Sequence, residues 1–209
     1  MAPKQVVILP VTPKPDTEES VFAYAEKVAA ELRKLTYSGY PLVVTVDKRD
    51  IRGGEKNWQW IKKGIPVRIE VGPRDVTGDN VMLARRDKEP TEKEKISRGD
   101  LPARVLEVLD EIQANYFAEA KRNLDANIRT DITSFEDFRA YFTAKNPNKP
   151  EVHGGFVRAK WCGDPKSLDV VEDLKITIRC LPLDQSNTTG TCILSGKPAT
   201  IDAIFAKAY

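Results

Sequence analysis

The chain has 209 residues, of which 31% are charged and 41% hydrophobic, and its formal net charge is +2. This balance is typical of a globular protein with one large or two small domains, and so small a net charge does not by itself indicate a nucleic-acid binder. Three cysteines without a signal peptide favour a reducing compartment, and no apolar run reaches the ~20 residues of a membrane span. We therefore expect a cytosolic protein.

The first residues predict a β-α-β unit. Gln5 to Val11 is a β-branched apolar run, which indicates a strand buried on both faces. Asp16 is a candidate N-cap for a helix whose apolar residues repeat at intervals of three and four. Leu42 to Val46 predicts a second buried strand, and a right-handed crossover would make the two strands parallel.

The segment 56–79 organises this half of the chain. It predicts a short basic helix with two tryptophans that ends at Gly64, followed by a strand from Pro66 to Val71. In that strand Arg68 and Glu70 alternate with apolar residues, so we expect both to point outward. A Gly-Pro turn then carries Arg74 and Asp75.

A fourth strand and a long helix complete the predicted first domain. Val81 to Ala84 is the strand, Asp87 to Gly99 is a polar connection, and Asp100 is placed to cap a helix that runs to about Asn127. The first part of this helix would close the domain, and its later part would connect two bodies.

The rest of the chain predicts a small α+β domain. Ser134 caps a helix with three phenylalanines on one face, which we interpret as core, and strands follow at 156–161, at 176–180 and near Cys192 and Phe205. The overall fold class is therefore α/β, a mixed sheet flanked by helices, followed by a small α+β C-terminal domain. The predicted boundaries are 1–113 for the first domain, 114–133 for a connecting helix and linker, and 134–209 for the second.

No catalytic constellation is evident in the sequence. It contains no phosphate-binding glycine loop, no zinc-protease motif and no nucleophile elbow, and the one histidine, His153, lies beside two glycines in a predicted loop. Positive charge is clustered instead, with fourteen Lys/Arg and nine Asp/Glu between Lys48 and Arg98, a surplus of five. Such a surplus is commonly just a solvated surface, but it also suits a polyanion such as RNA. We expect the candidate cations to lie around one rim of the sheet: Lys62, Lys63, Arg68, Arg74, Arg85 and Arg86.

The Arg74–Asp75 pair suits an unpaired guanine. A carboxylate can accept from both donors on the Watson–Crick edge of guanine, and an arginine fork can donate to its O6 and N7. The alternative is that Asp75 only closes its own turn. Both interpretations stay open at this point.

One set of residues in this region forms a recognisable motif: Asp47, Arg49, Asp50, Gly54, Lys56, Trp60, Lys63, Gly64, Pro66, Arg68, Glu70, Gly72, Pro73 and Asp75. This motif closely resembles that of the anticodon-binding domain of class II prolyl-tRNA synthetases. The resemblance extends to the C-terminus, where Thr177–Pro182 and Phe205–Tyr209 look like the zinc-type C-terminal extension of the archaeal/eukaryotic-like form.

The resemblance implies recognition of the tRNA(Pro) anticodon stem-loop in support of proline–tRNA ligase activity in the cytoplasm. By motif position, Arg68, Arg74 and Asp75 are the expected base-reading residues, and Lys62, Lys63, Arg85 and Arg86 are expected phosphate contacts. The family's usual Phe and Glu are replaced by Asn57 and Ile61, so Trp58 is a candidate replacement for the lost stacking ring.

The resemblance also implies what this chain lacks. Members with zinc use four cysteines, whereas here the second cysteine of each pair is serine, which leaves Cys162 and Cys192 as a vestigial site too poor in thiolates to hold structural zinc. We expect Cys180 to lie in the core. No cofactor is expected in this chain, and no catalytic residue.

A catalytic domain that binds ATP and Mg²⁺, and through which the parent enzyme dimerises, is expected to precede residue 1. Tyr209 would reach toward that domain. We expect the chain to be the C-terminal portion of such an enzyme and inactive alone. The alternative is a free-standing relative that acts as a protein-interaction module.

Overall fold

The computed structural model describes residues 3–13, 15–144, 146 and 154–208, so His153 and Tyr209 lie outside the described residues. The chain divides into two compact units, Met1–Glu119 and Ala120–Tyr209. The long helix α4, Leu101–Asn127, crosses this division. Its buried residues are all in its first half, from Leu101 to Ile112, because only that half packs on the first unit's core.

A five-stranded mixed sheet forms the centre of the first unit. Its strands are β1 Val6–Pro10, β4 Val44–Val46, β5 Val67–Val71, β6 Asn80–Arg85 and β7 Lys93–Ser97, and the short hairpin of β2 Thr36–Tyr37 and β3 Tyr40–Pro41 precedes β4. The strand order is β4-β1-β5-β6-β7. Strands β4, β1 and β5 are parallel, as the predicted crossover requires, and β6 and β7 are antiparallel additions. The fold class predicted from the sequence is confirmed.

Helices cover both faces of this sheet. On one face, α1 (Glu18–Leu32) and α4 pack on the side chains of Val6, Ile8, Val67 and Ile69. On the other face, α2 (Gly53–Lys62) brings Trp60 against Val7 and Leu9, with Ile65 beside them. The burial of all five β1 residues follows from this double covering.

Three details of the first unit differ from the sequence-based expectation. The N-cap of α1 is Thr17, and Asp16 lies in the single 3₁₀ turn before it. Pro73–Gly78, expected as a turn, is a short helix, α3. Strand β7 was not predicted, because an edge strand that buries only Ile96 and carries lysine and glutamate elsewhere has no apolar alternation to detect.

The second unit is built on the antiparallel strand β13, Ile201–Lys207, with β10 (Ile176–Cys180) on one side and β9 (Phe156–Trp161) on the other. Helix α5, Phe135–Phe142, is capped by the Ser134 hydroxyl, which accepts from the Asp137 N–H at 3.0 Å. The remaining elements are β8 Ile128–Arg129, a 3₁₀ helix Pro165–Leu174, β11 Gly190–Thr191 and β12 Pro198–Ala199.

The aromatic stripe of α5 is core, as predicted. Phe138 and Phe142 are fully buried, and Phe138 makes edge-to-face contacts with Phe142 and with Phe205 of β13 at centroid separations of 5.2 and 5.3 Å. Cys180 is exposed on β10, so the expectation that it lies in the core is wrong. It lies on an edge strand, and the register of the β10–β13 pair shifts between Ile178 and Cys180, so the alternation that turns Ile176 inward no longer applies to Cys180.

Candidate nucleic-acid interface

A cleft of about 560 Å³ lies where β5 ends and α3 begins. Its lining is Pro13, Thr17, Gly72, Pro73, Arg74 and Asp75. Arg74 is exposed, and Asp75 is half-buried with one carboxylate oxygen, Oδ2, accepting from the Gly72 N–H at 2.8 Å. Asp75 therefore does close its own turn, but it is not sealed from solvent, and its carboxylate lines the cleft beside the Arg74 fork.

Arg68 is on the same strand but is not exposed. Its side chain is only 2% accessible, so the expectation that it points outward into solvent is wrong. The register pairs Arg68 with Val7 and Ala84, which places it on the sheet face that α2 partly covers. The expectation failed because it assumed one solvated face, whereas helices cover both faces of this sheet.

The Arg68 guanidinium is under-bonded. Burial lowers its pKa, and the negative charge of Glu70 partly opposes that shift. Within the described part of the chain, Nε and Nη2 are buried with no hydrogen-bond partner. Glu70 itself is engaged by Lys93 at 2.6 Å. Buried N–H groups without an acceptor lower the stability of the folded protein, and a bound acceptor would remove that cost.

Helix α2 presents one tryptophan to solvent and anchors the other. Trp58 is 54% exposed, and the Lys62 ammonium lies 5.3 Å from its ring centroid. Trp60 is buried, with the Lys63 ammonium 4.4 Å from its ring centroid. The exposed face of Trp58 is therefore available for stacking, and both lysines are exposed.

The predicted cations do not form one rim. Arg85 lies on the opposite sheet face, where it is 12% exposed and bonded to Asp87 at 2.8 Å and to Glu111 of α4. Its expected position on an exposed rim is wrong, because its alternation places it with Val67 on the face toward α4.

Arg86 is exposed and donates to the Gly64 carbonyl at 3.1 Å, next to Lys62 and Lys63 and at the start of β5. Arg74 and Asp75 lie at the other end of that strand, roughly 16 Å away along five residues. The predicted cations therefore form two groups at opposite ends of β5, with Arg85 in neither.

Sequence reasoning missed a second cleft, of about 740 Å³, at the carboxyl ends of β1 and β4. Such ends are where ligands bind in parallel sheets, so the predicted β-α-β order already contained the signal. Its lining includes the uncapped first residues of α2 and shares Pro13 with the Arg74–Asp75 cleft. The charged residues that line it are Glu18, Lys48, Arg49, Asp50, Arg52 and Lys56.

Asp47 holds α2 against the sheet beside this cleft. Its carboxylate accepts from Trp60 Nε1 at 2.7 Å and from Arg49 Nε and Nη2 at 2.9 and 2.7 Å. The Arg49 guanidinium, against the opposing effect of burial, and the Trp60 indole N–H hold the pKa of Asp47 well below its usual range. The carboxylate therefore stays ionised and fixes the orientation of the helix that carries Trp58 and Lys62.

In the second unit, Cys162, Ser167, Cys192 and Ser195, the four positions that the resemblance relates to a metal site, lie near one another. The Ser195 hydroxyl is 3.5 Å from the Cys162 sulfur, and the Gly196 N–H closes the turn that holds Cys192 and Ser195 by donating to the Cys192 carbonyl at 3.0 Å. The Ser167 hydroxyl accepts from the indole N–H of Trp161, the neighbour of Cys162, at 2.9 Å. No group of three or more His, Cys, Asp or Glu side chains is arranged to hold a metal in residues 3–13, 15–144, 146 and 154–208. None of the described helices is both long and apolar enough to cross a membrane.

Two family models match the chain. Residues 5–108 match the model described as "Anticodon binding domain", and residues 149–209 match "Prolyl-tRNA synthetase, C-terminal". These ranges fall within the first and second units respectively.

This chain is similar over its whole length to proline–tRNA ligases. The chain is 54% identical to the enzyme of Protochlamydia amoebophila, 42% identical to proline–tRNA ligase 2 of Anaeromyxobacter dehalogenans and 41% identical to the enzyme of Bdellovibrio bacteriovorus. All of this chain aligns in each case, but it spans only 41%, 42% and 41% of those proteins' lengths.

Proposed function

Because the chain carries the anticodon-binding and C-terminal domains of proline–tRNA ligases, we propose that it recognises the anticodon stem-loop of tRNA(Pro). The observation that carries this proposal is the similarity of all 209 residues to proline–tRNA ligases. That single alignment contains both the anticodon-binding match and the C-terminal match. The parent enzyme would form prolyl-tRNA in the cytoplasm as a homodimer. ATP and Mg²⁺ would bind in its catalytic domain, and no residue of this chain is assigned to them.

The Arg74–Asp75 cleft is the proposed guanine-reading site. Asp75 Oδ1, together with the second lone pair of Oδ2, would accept from guanine N1–H and N2–H₂, while Arg74 donates to a base or phosphate oxygen. The two unpaired N–H groups of Arg68, on Nε and Nη2, support its predicted role as a base-reading residue. An acceptor on an inserted base would give these buried donors the hydrogen bonds that they lack. Trp58 would supply a stacking surface, since base–aromatic stacking needs only an exposed ring.

We propose that two separate groups of exposed cations contact phosphates, in place of the single basic rim expected from the sequence. Lys62, Lys63 and Arg86 form one exposed group at the start of β5, and Arg52 lies on the cleft next to Arg74. Lys48 lines the same cleft but is ion-paired with Glu26 at 2.8 Å, so it is not proposed as a phosphate contact. RNA of stem-loop size can contact both groups. Arg85 is not proposed as a phosphate contact, because Asp87 and Glu111 already neutralise it.

The decisive experiment compares the anticodon stem-loop of tRNA(Pro) with one whose anticodon is swapped, using Asp75→Ala. We expect the variant to lose about tenfold or more in affinity for the proline stem-loop, since a bidentate base contact contributes ~1–3 kcal/mol. It should lose little for the swapped one.

The matched control is Asp110→Ala, which removes an exposed carboxylate bonded only to Tyr37 among the described contacts, on the α4 side of the unit. It should leave both affinities unchanged. Equal affinities of wild type and Asp75→Ala for the proline stem-loop would refute the assignment. Lys63→Ala should weaken both RNAs alike and flatten the salt dependence.

A protein-interaction module is the second candidate function. It is favoured by Asn57 and Ile61, which remove a ring and an acceptor from α2, and Asn57 Oδ1 is buried without a partner among the described residues. Failure of the chain to shift either tRNA in a gel would support this candidate over anticodon recognition.

We also propose that the second unit descends from the zinc-type extension of the archaeal/eukaryotic-like enzymes and has lost its metal. The nearness of two cysteines and two serines at the positions of the resemblance supports this, with the Ser195 hydroxyl 3.5 Å from the Cys162 sulfur. The three relatives named above are bacterial, so the proposed ancestry concerns the domain type. Stoichiometric zinc in elemental analysis of the purified chain would contradict the loss of metal.

A further inference from the structure

The vestigial metal site brings two thiols together without the two further ligands that would hold an ion. Cys162 follows β9, and Cys192 lies in the loop between β11 and β12. The Ile193 N–H donates to the Lys160 carbonyl at 2.9 Å, so the loop that carries Cys192 is fixed to the strand that carries Cys162. Two thiolates are too few for a structural zinc site, which leaves both sulfurs free of that role.

The two thiols differ in access. Cys162 is half-exposed, whereas Cys192 is 2% exposed and belongs to the core cluster of the second unit. A small reagent can therefore reach Cys162 directly. Cys192 lies in the tight turn that also holds Ser195, whose hydroxyl is 3.5 Å from the Cys162 sulfur. The third cysteine, Cys180, is exposed on β10.

A hydroxyl donor faces the Cys162 sulfur. The Ser195 hydroxyl lies 3.5 Å from it, and Ser195 is in the same tight turn as Cys192, which the Gly196 N–H closes by donating to the Cys192 carbonyl at 3.0 Å. A thiolate is the form of cysteine that attacks peroxides and disulfides.

We propose that Cys162 and Cys192 form an oxidation site at which a hydroperoxide converts the pair into a reversible disulfide. The Cys162 thiolate attacks the O–O bond of ROOH, so that one oxygen remains on sulfur as the sulfenic acid and the other leaves as RO⁻, which takes up a proton. The Cys192 sulfur then attacks the Cys162 sulfur, the S–O bond breaks and water leaves.

The net reaction balances as two thiols plus ROOH giving a disulfide, ROH and water. Each sulfur loses one electron and the peroxide gains two. A dithiol reductant reverses the change by thiol–disulfide exchange. The site lies in the second unit and does not depend on anticodon recognition by the first.

The test uses the reduced, chelator-washed 209-residue chain and hydrogen peroxide. The free-thiol count should fall from three to one, and a peptide map should show Cys162 joined to Cys192. Dithiothreitol should restore three thiols. The oxidised second unit should melt at a higher temperature than the reduced one, because the bond closes a long loop in the unfolded chain.

Two variants separate the proposal from unspecific oxidation. Cys180→Ser should leave the reaction intact, with its rate within twofold of wild type, because that thiol is outside the pair. Cys162→Ser should abolish it and leave Cys192 unmodified, since Cys192 is buried. A disulfide involving Cys180, overoxidation of Cys162 without a disulfide, unchanged thiols after peroxide, or zinc retained through the chelator wash would each overturn the proposal.

Discussion

Removal of the Asp47 carboxylate is expected to detach α2 from its sheet. In Asp47→Ala the Trp60 indole N–H, now buried without an acceptor, accounts for most of the cost, about 1–3 kcal/mol. The Arg49 side chain is 45% exposed and regains water when its partner is removed, so the loss of that pair adds only a minor part of the cost. The expected total is about 2–3 kcal/mol.

Amide hydrogen exchange of the α2 peptide measures this loss locally, which suits a chain of two units because global unfolding need not be two-state. A loss of 2–3 kcal/mol corresponds to exchange about 30- to 150-fold faster in α2. Asp47→Asn keeps an oxygen acceptor for Trp60 and should lose about half as much. A double-mutant cycle of Asp47→Ala and Trp60→Phe should give a coupling energy of about 1–2 kcal/mol between the two side chains.

The matched control is Asp131→Ala, which removes an aspartate that also pairs with an arginine two residues away but is solvent-exposed. No change in protection is expected there, since water replaces both partners of an exposed pair. Unchanged α2 exchange in Asp47→Ala, or a coupling energy near zero, would show that the Asp47–Trp60 bond does not hold the helix.

Three further predictions concern stability. Gly64→Ala should lower the free energy of unfolding by about 1 kcal/mol or more in urea titrations, because φ is +71° and a Cβ would lie 3.3 Å from the Arg86 guanidinium. Phe138→Ala should lower the free energy of unfolding, measured by amide hydrogen exchange in α5, by ~3–5 kcal/mol. Phe117 is exposed, so Phe117→Ala should change stability by less than about 0.5 kcal/mol. Burial of the Asp202 carboxyl raises its pKa. Hydrogen bonds from Lys160, the Ser186 N–H and Arg158 outweigh that effect and hold the pKa of Asp202 far below its ordinary value. That stabilisation is complete above roughly pH 4 and is lost as the pH falls below it, so melting temperatures of the second unit should drop there and should drop less in Asp202→Asn.

The sequence alone was sufficient to predict the fold class, because it depends on patterns that are local in the chain. The apolar run before Val11 and the helical repeat after it predicted parallel strands joined by α1, and the structure has them in that arrangement. The aromatic stripe of α5 likewise predicted a buried face, since three side chains at helical spacing can be satisfied only by packing. Motif similarity predicted an anticodon-binding domain followed by a prolyl-tRNA synthetase C-terminal domain, and the family models match both.

Only the tertiary structure decided which charged side chains face solvent. Arg68 and Arg85 alternate along strands as if half the sheet were solvated, yet helices cover both faces, and one arginine is buried while the other is neutralised by α4. Burial and ion pairing depend on neighbours remote in sequence, which no local pattern records. The same holds for Cys162 and Cys192, thirty positions apart, which are brought to the same place because the Ile193 N–H bonds the Cys192 loop to Lys160 of β9 at 2.9 Å.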